Sequence, residues 1–267
     1  ISTGRNGHVV GGLWCLVEGE GQRALYCGDV VPKSSVFAYD VPPPADVVLL
    51  DASYGDDDVP SAARAAAVVD WVAAHPRCLL PVPLAGRSLE MLALLEQPLA
   101  LATGLRDSLE AQIADPRWLW PGLQAGLVAR LEQAIDWTDG EDWPDRPLMT
   151  HDAMGMGGPA AEQLPRAVRD GLPILLTGHV PTASPAYALR EAGVADQVGH
   201  QGEGQAVVLA AGPGQHDRAA AAPAAHELAA QAGHQARGGG HRDPLVHRRG
   251  PAVGHLQADA PEGTRHH

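Results

Sequence analysis

Short apolar runs that stop abruptly on a polar or glycine-rich turn recur through the first 180 residues, and they constrain the fold of this chain more than any other feature. "ADVVLLDAS" (residues 45–53) is the plainest. Its apolar residues are consecutive rather than alternating, which suits a strand covered on both faces, and the run ends on Asp51. Upstream, "GGLWCLVEGEGQRALYCGDV" holds two strand-like runs, Leu13–Val17 and Ala24–Cys27, around the turn "EGEG". Downstream come a short strand in "CLLPVPLAG", one ending near Thr150 and one at Pro173–Thr177. Helical patterns lie between them. Residues 60–75 are Ala-rich and open on Pro60 and Ser61, "RSLEMLALLEQ" spaces Leu89, Leu92 and Leu95 along one face, and a further helix is expected around 160–170. Strands alternating with helices imply an α/β sheet, whose sites lie at the strand carboxyl ends. Asp29, Asp51, the loops 82–87 and 151–158, and Thr177–His179 all fall at such ends. The stretch 100–145, with "DPRWLWPG" and "IDWTDGEDWPD", mixes helical pieces with Trp and Pro, and its elements do not follow from pattern alone.

Composition narrows the setting. No apolar run approaches the ~20 residues that span a bilayer, and "ISTGRNGH" lacks the basic start and apolar centre of a secretory leader. A chain opening on Ile1 reads as a fragment or a processed form. The formal net charge of −13 argues against a generally basic nucleic-acid binder, while leaving room for a local basic groove. Cys15, Cys27 and Cys78 are odd in number and show no CxxC spacing, as expected of reduced thiols in a cytoplasmic protein. From about Gln197 the pattern dissolves into Ala, Gly, His, Arg and Pro. Nine of the thirteen histidines lie there without a repeating ligand spacing, and "AVVLAAGPG" is the only plausible strand. A single lysine, Lys33, against eighteen arginines points to GC-rich coding DNA. The 197–267 tail reads as disordered or non-native, of the kind an out-of-frame reading of such DNA would produce.

Several short motifs carry candidate chemistry. "GHVVGG" sets His8 between glycines just ahead of a strand, where an imidazole can point at a metal. "YCGD" places Asp29 at a strand end, where it can bridge two ions or cap a turn, and Asp51 has the same two options. "GRSLE" sets Arg87 at a helix start, and successive amides of "MGMGGP" can form an anion nest, although the turn lacks the Rossmann arrangement. Taken singly, each of these has an ordinary structural role as its commoner explanation.

Their order is what speaks. GHVVGG, YCGD, VVLLDASYGD, PVPLAGRSLEML, DAMGMGGP and ILLTG, over roughly residues 5–190, closely resemble the metallo-β-lactamase superfamily, and within it the β-CASP branch of RNA- and DNA-processing nucleases. The resemblance implies part of a metallo-β-lactamase αββα sandwich (residues 1–59), a mostly β-CASP α/β domain inserted after it (60–196), and the tail (197–267). It also implies two zinc ions, with His8 as a ligand, Asp29 as the bridging ligand and Asp51 as the acid that orients a later catalytic histidine. Arg87 and the turn containing Gly155, Gly157 and Gly158 would face the scissile strand. His179, after "TG", would line the cleft, and His151 is read as a hydrogen-bonded loop residue. The implied partner is RNA or DNA and not a membrane; whether copies of the chain associate is left open.

The chain also departs from the family pattern. The HxHxDH motif expected upstream of GHxxG, the SxHxD after the "TG" strand and a late HG histidine are absent, since His200 in "QVGHQGEG" has neither the preceding Ser nor the following Asp. His8 and Asp29 alone fall short of the three or four ligands zinc normally takes from protein. The chain as it stands is therefore expected to be inactive, or to need the missing ligands from elsewhere. Two other readings remain: a hydrolase of small esters or thioesters on the same fold, for which the long insertion with "GRSLE" would be superfluous, and a non-catalytic β-CASP-like nucleic-acid-binding protein.

Overall fold

The computed structural model describes residues 1–51 and 59–198, together with the backbone of 206–210. The expected alternation resolves into two sheets. In the first, β1 (Ser2–Arg5), β2 (Leu13–Gly19) and β3 (Gln22–Tyr26) run antiparallel in order. β2 and β3 are joined at Glu20 and Gly21, both with positive φ, the backbone of a tight two-residue hairpin turn. β4 (Val47–Asp51) then lies parallel to β3, so Asp29 and Asp51 emerge at the same edge.

The chain next builds a second, parallel sheet. Its elements are α1 (Ser61–Ala74), β5 (Leu79–Pro81), α2 (Arg87–Leu94), β6 (Ala100–Ala102), α3 (Leu105–Ala114), a 3-10 turn at Pro116–Trp118, and α4 (Gln124–Gln133). There follow β7 (Ile135–Trp137), β8 (Leu148–Thr150), α5 (Ala160–Asp170), β9 (Leu175–Leu176), α6 (Pro185–Glu191) and β10 (Asp196–Gln197). The strand order is β5-β8-β6-β7, every pair parallel, and a bridge between Leu79 and Ile174 brings β9 and its parallel neighbour β10 alongside β5. The chain then returns to the first sheet. β11 (Ala206–Ala210), the one strand expected in the 197–267 stretch, pairs antiparallel with β4. Beyond Gln197 and Val198, the rest of the expected tail lies outside the described residues, as do residues 52–58 of the Asp51 turn.

Burial follows the two-residue period of the strands. Leu80, Leu101 and Met149 point into a core shared with Val68 and Val72 of α1, Leu89 and Leu92 of α2, Leu109 of α3 and Leu131 of α4. Their neighbours Leu79, Ala100 and Leu148 point the other way, against Leu164 and Ala167 of α5 and Ala186 of α6. Helices thus cover both faces of the second sheet, and each fully buried Leu contributes roughly 1.5–3 kcal/mol.

The first sheet differs from the expectation drawn from "ADVVLLDAS". Of β4 only Leu50 is buried, packed with Trp14, Leu16, Leu25 and Cys27 on one face, while Val47, Val48 and Leu49 are half-buried. Among the described residues nothing closes the opposite face, where Leu13, Val17 and Tyr26 are 43%, 47% and 59% exposed.

The two sheets are sewn together by the segment between β3 and β4. Ala38 N–H donates to the Trp118 carbonyl (2.9 Å), Trp120 N–H donates to the Val36 carbonyl (3.0 Å), and Phe37 bridges Leu119. Val36 and Phe37 are buried in the core of the second sheet. Asp40 holds Arg5 in a 2.6 Å ion pair beside this seam, and the guanidinium keeps the Asp40 carboxyl down at about 2.

Candidate functional site

The loop carrying His8 is shaped by its neighbours in sequence. Gly7 has φ +76°, and a Cβ there would run into the Val31 carbonyl oxygen, so only glycine lets the loop pass. Asn6, which is buried, ties the loop together from within. Its N–H donates to the Gly12 carbonyl (3.0 Å), its carbonyl accepts from Val31 N–H (2.8 Å), and its side-chain Oδ1 accepts from His8 N–H (3.1 Å). One residue thereby fixes His8 against the segment that follows Asp29.

Asp29 and Asp51 arrive by the parallel pairing of β3 and β4. The Asp51 N–H lies 3.4 Å from the Gly28 carbonyl, and the Asp51 carboxyl is close enough to that of Asp29 to help raise its pKa. His8 Nε2 stands 3.7 Å from Asp29 Oδ2. The three residues singled out from separate motifs therefore share one place. Partial burial, followed by the neighbouring Asp51 carboxyl, pushes the Asp29 carboxyl up from its ordinary range, and His8 opposes this in part.

The sign of that shift gives a stability test. A carboxyl whose folded pKa is raised lends stability below its ordinary pKa and loses it as pH rises through the raised value. In metal-free protein, the unfolding midpoint of Asp29→Asn is expected to rise relative to the wild type as pH rises from below the ordinary carboxylate range to neutrality. Thermal melts across that range check this; a difference that does not change with pH contradicts it.

Arg87 opens α2, one residue after Gly86, whose φ of +73° again calls for glycine. A Cβ on Gly86 would lie 3.3 Å from the His8 carbonyl oxygen, so the carboxyl-edge loop of β5 rests directly on the His8 loop. Arg87 pairs with Glu90 at 3.1 Å, and Glu90 accepts a 2.9 Å hydrogen bond from the hydroxyl of Ser34, which lies in the segment after Asp29. Arg87 is thus attached to the same neighbourhood as the three titratable groups.

The 151–158 loop and His179 share the carboxyl edge of the second sheet but make their contacts elsewhere. His151 reaches the Thr103 carbonyl (3.1 Å), the loop role expected of it. The amides of Met154 and Met156 donate to the two oxygens of Asp152 (2.9 and 3.1 Å), so part of the anticipated nest is already filled by the chain's own carboxylate. Gly155 is buried against Leu164 and Pro185, where a side chain would clash, whereas Gly157 is partly exposed beside open space and Gly158 is exposed but packed at its Cβ position against the His151 carbonyl. His179 is exposed just beyond β9. Asn6, Ser34, Glu90 and Gln112 (which caps Gly86 N–H at 2.9 Å) were not found by sequence reasoning. Only the Asn of "RNGH" carried a signal, as a polar residue opening a glycine turn.

As a metal site the cluster is right in kind and short in number. Imidazole nitrogen and carboxylate oxygen are the donors zinc takes, and two carboxyls crowded enough to raise a pKa would be relieved by a cation. Among the described residues, however, no group of three or more His, Cys, Asp or Glu side chains is arranged to hold an ion. Among the same residues no helix is long and apolar enough to cross a membrane. No protein-family model matches the chain, and no curated protein matches it. What stands established is a mixed α/β fold of two sheets with a His–Asp–Asp cluster at their junction.

Proposed function

We propose that this chain is part of a β-CASP-type, metal-dependent hydrolase of RNA or DNA phosphodiesters, its first sheet belonging to a metallo-β-lactamase αββα sandwich. The observation that carries this reading is the meeting of His8, Asp29 and Asp51 beneath the Gly86–Arg87 loop, because residues from four separate motifs converge there. His8 and Asp29 would be two ligands of a zinc centre, which when bound supplies an activated water for hydrolysis. Asp51, beside Asp29, would orient a catalytic histidine supplied from outside the described residues. Arg87 offers a guanidinium fork for a phosphate, and the accessible Gly157–Gly158 turn and His179 line the same edge of the second sheet. The remaining ligands must come from outside the described residues.

A second reading, a non-catalytic nucleic-acid-binding protein of the same architecture, is favoured by one fact: fewer than three ligands are assembled among the described residues. Labelled single-stranded RNA and DNA, each with zinc and with a chelator, separate the two. The hydrolase reading expects cleavage or binding that depends on zinc; binding indifferent to both additions leaves the second reading, and no binding under any condition removes both. In the same assay Arg87→Ala is expected to weaken binding and to lower the slope of log K against log salt by about 0.7–0.9, the contribution of one phosphate contact. An unchanged slope would remove Arg87 from the phosphate path.

A further inference from the structure

The loop bearing Arg87 is held by polar groups that the proposed chemistry does not use. Pro83, Leu84 and Ala85 face solvent, yet the backbone on either side of Ala85 is anchored from below. Gln112 on α3 is only 5% exposed, and its Oε1 accepts from Gly86 N–H at 2.9 Å. Its Nε2 faces the Leu84 carbonyl (3.4 Å), the Ser108 carbonyl (3.2 Å) and the hydroxyls of Ser108 (3.3 Å) and Ser88 (3.5 Å). The Leu84 carbonyl also accepts from Ser88 (2.9 Å) and Ser108 (2.7 Å) hydroxyls. Only one orientation of the amide meets these needs: oxygen toward the Gly86 N–H, NH2 toward the two carbonyls.

Burying the Gln112 amide and the Ser88 hydroxyl is costly unless they are bonded, and the half-buried Ser108 completes the set. A Leu on α3 would fill the same volume without that demand. What the polar set does that Leu could not is hold a glycine of positive φ against the His8 loop, one residue before Arg87. We infer that Gln112 is a positioning residue: with Ser88 and Ser108 it sets the Gly86–Arg87 loop, and through it the guanidinium that meets the nucleic-acid phosphate. The inference rests on the proposed function for its phosphate and on hydrogen bonds alone for its loop.

The test uses the full chain and Gln112→Met, which keeps the volume and removes both hydrogen-bonding roles. Amide exchange is read at Gly86 relative to Val82 and Leu148, whose N–H groups bond the Thr150 and Cys78 carbonyls within the second sheet. Gly86 should exchange about tenfold faster while the two reference amides change together by less. In parallel, binding of a single-stranded oligonucleotide is measured for wild type, Gln112→Met, Arg87→Ala and the double variant. If Gln112 acts through Arg87, its loss weakens binding severalfold in the wild type and adds nothing once Arg87 is gone. Additive losses, or a Gly86 amide as protected as before relative to the references, overturn the inference. If the wild type binds no oligonucleotide, the nuclease reading fails on its own, and exchange at Gly86 alone decides whether Gln112 sets the loop.

Discussion

Phe37→Ala is expected to cost about 3–5 kcal/mol of stability, the range for removing a fully buried aromatic ring. Phe37 is 1% exposed, and it is contributed by the segment between β3 and β4 to a core otherwise built from the second sheet and its helices. Its backbone bridges Leu119, and both neighbours, Val36 and Ala38, are hydrogen-bonded across the same seam. The ring is therefore where burial energy ties one sheet to the other. For a protein of this size such a loss lowers the unfolding midpoint by roughly 6–20 °C. Val41→Ala, four residues on and 66% exposed, serves as the control and should shift it little. Similar melts for the two variants would mean that the seam is not where the sheets are joined.

The second large effect concerns Asp29. In the proposed site its carboxylate is a metal ligand, so Asp29→Asn should weaken zinc binding at least about a hundredfold, since even residues behind the ligands cost 10–100-fold. The substitution keeps size and hydrogen-bonding capacity, so the fold should survive. The new amide can donate to the neighbouring Asp51 carboxylate. Competition against a chromophoric chelator reads the affinity directly. Equal affinity in the two proteins would reduce Asp29 to a turn residue.

The strand ends were legible because each is marked twice, by an apolar run and by the polar or glycine residue that stops it. Asp29, Asp51, Arg87 and the 151–158 loop could all be placed at carboxyl edges on that ground, and the parallel pairings put them there. The cover on each strand was less legible. Consecutive apolar residues in "VVLLD" announce two apolar faces, but they do not say that the described chain packs only one of them, around Leu50. The 100–145 stretch hid β6, α3, α4 and β7 because its strands are three residues long and its helices ten, too short for periodicity to rise above the Trp and Pro between them.

The site divides in the same way. His8 and the two aspartates stand out as chemistry-bearing residues at turns, whereas Gln112 lies inside a helix, and Ser34 and Glu90 look like any surface pair. Their work appears only when Ser34 is found 2.9 Å from Glu90 across fifty-six residues of chain, and Gln112 2.9 Å from Gly86 across twenty-six. Long-range polar contacts of this kind leave no local period to read.

The most direct test of the whole account is a zinc titration of the wild-type chain at neutral pH, followed by calorimetry and compared with a His8→Ala, Asp29→Asn double variant. The account predicts that the wild type binds zinc measurably more tightly than the double variant, which lacks both of its ligands. If the two proteins bind zinc equally, or neither binds it, the cluster at the sheet junction is not a metal centre. The hydrolase reading would then fall, and only zinc-independent binding of RNA or DNA would leave the non-catalytic one.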